Sequence, residues 1–289
     1  MRYLHDLGWL SMFGKIKVAY LGPKGTFTEQ AARSYFQETA EFLECRDIPE
    51  IFAVVDSNSA EFGVVPVENS IEGSVNIALD MLLESNLRVS GEIEQRVVHN
   101  LIVQDDTTLS KIRAVVSHPQ ALAQCRHFLK TNLPHVEILE VGSTAAAVQS
   151  VRGSKGKAAI GSELAAKIYG MKVIRRGIED NPNNSTRFFV LSRGQAERTG
   201  NDKTSIIFST EHAPGALHKA LGVFAERKIN LTKIESRPAR KKPWEYVFYC
   251  DFEGHQDDEP VKDALKELRS MATFLKVLGS YPRAKGGMQ

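Results

Sequence analysis

The sequence predicts an α/β protein in which two lobes, joined by two extended crossings, are followed by a separate small βαββαβ domain. Three observations carry this. Through the first two thirds of the chain, short apolar runs alternate with amphipathic helical stretches, the pattern of parallel sheets covered by helices. Two segments, Glu92 to Val103 and Val173 to Phe189, lack helical periodicity and read as extended; one passes into a second lobe and the other returns. After a polar stretch from Ser192 to Asp202, which holds Gly194 and Gly200, the pattern becomes strand, helix, two strands, helix, strand. The expected boundaries are an N-terminal extension over 1–15, a domain over 16–192 with lobes of about 16–95 plus 178–192 and about 96–177, and a last domain over 203–283.

In chain order, Lys17 to Leu21 is the first strand and Gly22-Pro23-Lys24-Gly25 a turn. Thr26 with Glu29 makes a capping box for a helix carrying Ala31, Ala32, Tyr35 and Phe36. Phe62 to Val67 is a strand, Glu68-Asn69-Ser70 a loop and Val75 to Leu83 a helix. Ala114 to Val116 is a strand, and after Ser117-His118 the proline at 119 suits a first helical position, with Leu122, Cys125, Phe128 and Leu129 as the buried stripe. Val136 to Val141 is a strand with Ser143 or Thr144 capping the next helix. Ala158 to Gly161 is another, followed by Ser162 as a cap and Gly170 as a helix stop. Ligands of such sheets sit beyond the carboxyl ends of the strands. The Ser, Thr, Asn and Gly residues at these junctions present N–H donors and a helix dipole suited to anions. They serve equally as plain helix caps, so only their convergence on one cleft would mark a site.

The last domain reads as a strand over Thr204 to Ser209, then a helix opened by Pro214 with Leu217, Leu221, Phe224 and Ala225 inward. A strand over Ile229 to Ser236, a basic turn over Arg237 to Pro243 and a strand over Trp244 to Phe252 follow. Val261, Ala264, Leu265, Leu268 and Met271 form a helical stripe, and Phe274 to Leu278 closes the domain as a strand.

Lys and Arg total 37 against 35 Asp and Glu, so neither nucleic acid nor an anionic membrane is the expected partner, while a local site can still take an acidic small molecule. Cys45, Cys125 and Cys250 lie far apart with no C-x-x-C pair, which fits a reducing, cytoplasmic setting. No H-E-x-x-H or cysteine cluster is present, and no metal or cofactor is expected. No apolar run reaches transmembrane length. Met1 to Gly14 carries Leu7, Trp9, Leu10 and Phe13 but also Asp6, a poor signal peptide, and reads as an extension with Met12 as an alternative start.

Six motifs, taken together, go further. Asn184-Ser185-Thr186-Arg187-Phe188 resembles the Thr-Arg-Phe signature of prephenate dehydratases. Gly22-Pro23-Lys24-Gly25-Thr26-Phe27 resembles that family's opening motif, Val65-Pro66-Val67-Glu68-Asn69-Ser70 with Gly73-Ser74-Val75 its second, and Ser117-His118-Pro119-Gln120 with Gln124 its third. In the last domain, Gly215-Ala216-Leu217 and Glu235-Ser236-Arg237-Pro238 resemble the two phenylalanine-binding motifs of the ACT domain attached to these enzymes. One departure is His218, where the family usually carries an apolar residue; it bears on the shape of the effector pocket.

The resemblance implies a two-lobed, periplasmic-binding-protein-like catalytic domain and a ferredoxin-like ACT domain. It implies conversion of prephenate to phenylpyruvate, with loss of carbon dioxide and water, in L-phenylalanine biosynthesis, under feedback by L-phenylalanine. It implies a homodimer or homotetramer, since the effector pocket lies between two ACT domains. No chorismate mutase-like unit is read before the lobes, so a monofunctional form is expected. By resemblance, Thr186 is the catalytic threonine, donating a hydrogen bond to the departing oxygen or relaying a proton. Arg187 clamps a carboxylate and Phe188 walls the ring pocket or simply packs in the core. Asn69 and Ser70 bond the substrate. Glu68 is either protonated and a candidate general acid, or orients Asn69 or Thr186, or is a structural carboxylate. Ser117 and Gln124 belong to the site, whereas His118, before a proline, reads as a structural turn residue. Gly25, Thr26, Ser143 and Thr144 offer donors to carboxylates. Arogenate dehydratase and a non-catalytic two-lobed binding protein are the competing readings.

Overall fold

The computed structural model describes residues 15–104, 107–239 and 245–284, with the side chain of residue 38 left aside. The N-terminal extension with its alternative start, residues 240–243 of the basic turn and Trp244 lie outside the described residues.

The first sheet is built on β1 (Ile16–Leu21), which pairs in parallel with β2 (Ala40–Cys45) and with β3 (Phe62–Asn69). Val18, Ala19 and Tyr20 of β1 are all fully buried, as expected of a central strand covered on both faces. Helices α1 (Phe27–Phe36) and α2 (Ile48–Asp56) supply cover. β2 and α2 are not among the elements expected from the sequence, although Asp47 caps α2 by accepting from the Glu50 amide at 2.9 Å. The strand order continues through β11 (Ser185–Ser192) to β5 (Arg88–Arg96), and the two-residue β4 (Gly73–Ser74) pairs antiparallel with the end of β3. Glu68 and Asn69 are therefore strand residues, not loop: pairing with β4 extends β3 past Val67. Helix α3 (Asn76–Glu84) follows.

The second sheet has the order β10-β6-β9-β7-β8. Its strands are β6 (Asn100–Val103), β7 (Ala114–Ser117), β8 (Glu137–Glu140), β9 (Lys157–Gly161) and β10 (Lys172–Arg175). β7 runs parallel to β8 and β9, as expected where helices make the crossovers. β6 and β10 run antiparallel to their neighbours, so the sheet is mixed. The difference originates in β6, antiparallel to both β9 and β10: it follows β5 directly, without a helical crossover that would force it parallel. The helices here are α4 (Pro119–Gln124), α5 (Arg126–Asn132), α6 (Thr144–Ser150) and α7 (Glu163–Tyr169). Sequence periodicity spans α4 and α5 as one helix; the backbone breaks at Cys125 (φ −111°, ψ 17°), yet Leu122, Cys125 and Leu129 still share one buried cluster.

The compact units are cut differently from the expected boundaries. One comprises the described residues up to Ala78 together with Ile93–Phe188, and so holds both lobes; the other joins Leu79–Glu92 to the chain from Phe189 onward. This second unit contains β12 (Asp202–Thr210), α8 (Ala216–Glu226), β13 (Leu231–Pro238), β14 (Tyr246–Glu253), α9 (Glu259–Met271) and β15 (Ala272–Pro282). Its antiparallel sheet has the order β13-β14-β12-β15, the expected βαββαβ arrangement. Two local expectations fail. Ala225 is exposed while Ala220 and Val223 are buried, because successive helical residues are about 100° apart and Ala225 falls off the inner face. Arg237 and Pro238 are strand, held in register opposite Val247 and Tyr246; a proline is tolerated there because β13 is an edge.

Within this unit the 79–92 segment is gripped by the sheet. Tyr249 Oη donates to the Leu79 carbonyl at 2.8 Å, and Arg237 pairs with Asp80 at 3.0 Å. The Lys276 ammonium donates to the carbonyls of Leu82 (2.8 Å), Leu83 (2.9 Å) and Ser85, a cation at the C-terminal end of α3. Burial, then Arg88, pushes the Lys276 pKa below its usual range. Lys203 and Glu92 form a buried ion pair at 3.0 Å. Among the described residues, no helix is long and apolar enough to cross a membrane.

Candidate active site

The turn after β3 determines the orientation of the groups around it. Asn69 Oδ1 accepts from the backbone N–H groups of Ile71 (3.0 Å) and Glu72 (3.1 Å), a side-chain turn that asparagine makes readily. Those two donors identify which end of the amide is oxygen, so the other end is Nδ2 and can only donate. Nδ2 lies 2.8 Å from Asn184 Oδ1, 2.9 Å from Thr186 Oγ1 and 3.3 Å from the Ser185 carbonyl. Thr186 is thus an acceptor in its bond with Asn69, and its own hydroxyl hydrogen remains to be donated. Ser70 secures the junction from the other side: its amide donates to the Ser185 carbonyl at 2.8 Å, and its hydroxyl accepts from the Ser185 amide and donates to the Asn183 carbonyl.

The polarity runs on into the second lobe. With Oδ1 taken by Asn69, buried Asn184 turns Nδ2 to Gln124 Oε1 at 2.8 Å. Gln124 Oε1 also faces His99 Nε2 at 2.9 Å, and its Nε2 approaches Glu72 Oε1 at 3.4 Å. One hydrogen-bonded chain therefore runs from Thr186 through Asn69, Asn184 and Gln124 to His99. Burial pushes the His99 imidazole below the usual histidine value, against upward pulls from Gln124 and Glu179.

Of the expected site residues, Thr186, Asn69 and Gln124 converge here, with Ser70 as the pin. Arg187 and Glu68 lie 4.0 Å apart on the neighbouring strands β11 and β3, each adjacent in sequence to Thr186 or Asn69. Phe188 is 1% exposed and packs in the core instead of walling a pocket.

Three further expectations, for Ser117, Thr26 and Gly25, are corrected because the donors are already occupied. Ser117 is fully buried and donates to the Ile160 carbonyl at 2.8 Å, tying β7 to β9. Thr26 donates to the Leu21 carbonyl at 2.8 Å while capping α1, and the Gly25 amide donates to Glu29 at 2.5 Å, so the Glu29 carboxylate reaches one residue beyond the usual capping box. The opening motif instead joins the lobes: Ser162 donates to the Gly25 carbonyl at 2.6 Å and Tyr169 to the Lys24 carbonyl at 3.0 Å. Gly25 is required there, having φ +91° and lying where a Cβ would stand 2.8 Å from Ala165. Ser143 caps α6 by accepting from the Ala146 amide, with Thr144 as the first helical residue; neither joins the chain of hydrogen bonds described above. His118 is the structural residue expected, its Nδ1 accepting from the Gln120 amide at 3.3 Å.

Asn184, His99 and Glu72 were not among the expected site residues. Asn184 stands two residues before Thr186 in a quoted motif, which was a usable signal; His99, inside an extended apolar crossing, offered none. The three cysteines are buried, and burial raises their pKa values, to about 11 for Cys45, which leaves them poor nucleophiles near neutrality. Among the described residues no cluster of His, Cys, Asp and Glu could hold a metal ion.

In the other unit, Gly215 caps α8 with φ +80°, ahead of Ala216 and a partly buried Leu217. Glu235, exposed Ser236, Arg237 and Pro238 lie along the edge strand β13, with Glu235 3.3 Å from Lys233.

Comparison with known proteins agrees with this layout. A family model described as prephenate dehydratase matches residues 18–196, and one described as ACT domain matches residues 204–270. The bifunctional chorismate mutase/prephenate dehydratase of Aquifex aeolicus is 50% identical over 275 residues, covering 95% of this chain and 76% of that protein. The prephenate dehydratase of Methanocaldococcus jannaschii is 43% identical over 274 residues, covering 92% of this chain and 97% of that one. The solved structure of prephenate dehydratase from Arthrobacter aurescens in complex with L-Phe matches with a TM-score of 0.87 and 35% identity, covering 95% of this chain and 92% of that one.

Proposed function

We propose, from the premise that this chain belongs to the prephenate dehydratase family and carries an ACT domain, that it converts prephenate to phenylpyruvate, carbon dioxide and water under control by L-phenylalanine. In the reaction the bond from the ring to its carboxylate breaks and releases carbon dioxide. The electron pair enters the ring, which becomes aromatic as the carbon–oxygen bond opposite breaks. The departing hydroxide takes up a proton and leaves as water. The protein's task is to hold a dianion and to stabilise charge growing on the departing oxygen.

The observation that carries this reading is the bond from Asn69 Nδ2 to Thr186 Oγ1. It leaves the threonine hydrogen to meet the departing hydroxyl, already oriented, so little reorganisation is needed as charge develops. Arg187 supplies the fixed positive charge for a substrate carboxylate. Gln124 extends the same network towards Glu72.

For regulation, L-phenylalanine binds at Gly215-Ala216-Leu217 and Glu235-Ser236-Arg237-Pro238 and favours one arrangement of the protein over another. Copies associate through their ACT domains as a dimer or tetramer; the edge position of β13 and the 45% exposure of Ile234 on it support this. The enzyme works in the cytoplasm. The test is the rate of phenylpyruvate formation by the purified chain on prephenate, with arogenate in parallel. Turnover of prephenate is expected. Turnover of arogenate alone, or binding of prephenate without product, would replace this reading.

A further inference from the structure

We propose that His99 is a positioning residue for this reaction, held neutral with its proton on Nε2, and that it fixes the direction of the hydrogen-bond chain ending at Thr186. The inference rests on the reading of Thr186 given above.

The tautomer follows from the backbone by successive exclusion. The amides of Ile71 and Glu72 make Asn69 Oδ1 an acceptor, hence Asn69 Nδ2 a donor. Asn184 Oδ1 is then an acceptor and Asn184 Nδ2 a donor to Gln124 Oε1. A carbonyl oxygen only accepts, so His99 Nε2, 2.9 Å from that oxygen, carries the hydrogen. A second, independent observation agrees. Nδ1 of His99, a residue 3% exposed, is buried with no hydrogen-bond partner, so a proton there would have no acceptor. The ring is wedged edge-on against Phe27, with centroids 5.6 Å apart, and its backbone amide is held by Glu179 at 2.9 Å.

Removing the Nε2–H leaves Gln124 Oε1 with Asn184 as its donor and frees the glutamine amide to rotate. A rotated Gln124 would present its NH₂ to the Asn184 NH₂, two donors face to face. Asn184 would then turn in response, and the clash would pass through Asn69 to Thr186. The expected penalty lies in how well the threonine hydroxyl is aimed, not in ground-state affinity.

The experiment compares His99→Gln, which can place an amide N–H where Nε2 stood, with His99→Asn, which can replace only Nδ1, in the full chain. The glutamine variant should keep kcat within about threefold of the parent and the asparagine variant should lose about tenfold or more, with KM near the parent in both. In parallel, ¹⁵N-histidine labelling, with His99 assigned by its absence in His99→Gln, should show a protonated Nε2 and a bare Nδ1 near neutral pH. Equal kcat in parent and both variants, a loss carried by KM, or a proton found on Nδ1 would overturn the proposal. If a variant does not fold, the labelled parent still decides. If the parent fails to turn over prephenate, the functional reading falls while the tautomer measurement still reports on His99.

Discussion

Asn69→Asp changes the chemistry of one atom and leaves the turn standing. The remaining oxygen still accepts from the amides of Ile71 and Glu72. What was a donor 2.9 Å from Thr186 Oγ1 becomes a carboxylate oxygen at the same place. The threonine responds by donating its hydrogen to that oxygen. A hydrogen bond to a charged acceptor contributes about 1.5–3 kcal/mol, and it must be broken before the hydroxyl can serve the departing oxygen. At about 1.36 kcal/mol per tenfold, kcat falls about 10- to 150-fold. KM should rise as well, because the new carboxylate repels a dianionic substrate. Initial rates of phenylpyruvate formation, with thermal melting to confirm folding, measure both quantities. A folded variant whose kcat stays within about twofold of the parent would show that Asn69 does not govern the threonine proton, and the reasoning would fail.

Two further outcomes are expected. Ser236→Trp places an indole on the exposed face of β13 in the effector motif, so calorimetric titration with L-phenylalanine should show no binding and inhibition should disappear; unchanged binding heat would refute the assignment of that pocket. Stability should also fall on acidification in a way that depends on His99, a group packed against Phe27 and Gln124 with Glu179 beside it. Its folded pKa is lowered by burial, so the unfolded chain binds the proton first; stability is intact above about pH 6.5 and declines below it, down to the folded pKa. His99→Gln should show a smaller drop in melting temperature between neutral and mildly acidic pH than the parent, and an equal drop would count against a buried neutral imidazole.

The order of elements was legible because it depends on local pattern. Thr26, Ser143 and Ser162 cap helices where the sequence places them, Gly170 ends α7 with φ +65°, and the last domain follows its hydrophobic stripes. The role of a motif hydroxyl was less legible, because its partner is set by tertiary structure. Ser117 looks like a ligand donor until Ile160, 43 residues on, takes its hydrogen. Gly25 looks like an anion donor until Glu29 accepts its amide and α7 closes against its carbonyl. Asn184 and His99 were missed for the same reason: their partners are Asn69 and Gln124, 115 and 25 positions away. Residue type in the motifs picked out Asn69, Gln124 and Thr186, which the fold brings into one hydrogen-bonded chain, but direction of donation, which decides the chemistry, appears only when the backbone donors of the β3 turn are in place.

The central claim is that the Thr186 hydroxyl stabilises the departing oxygen, and the comparison of kcat for Thr186→Ser and Thr186→Ala on prephenate tests it most directly. Serine keeps the hydroxyl and the acceptor for Asn69 and should retain much of the activity. Alanine removes both and should lose about a hundredfold or more, the scale seen when a single donor to a developing oxyanion is deleted. An alanine variant as active as the parent would contradict the account.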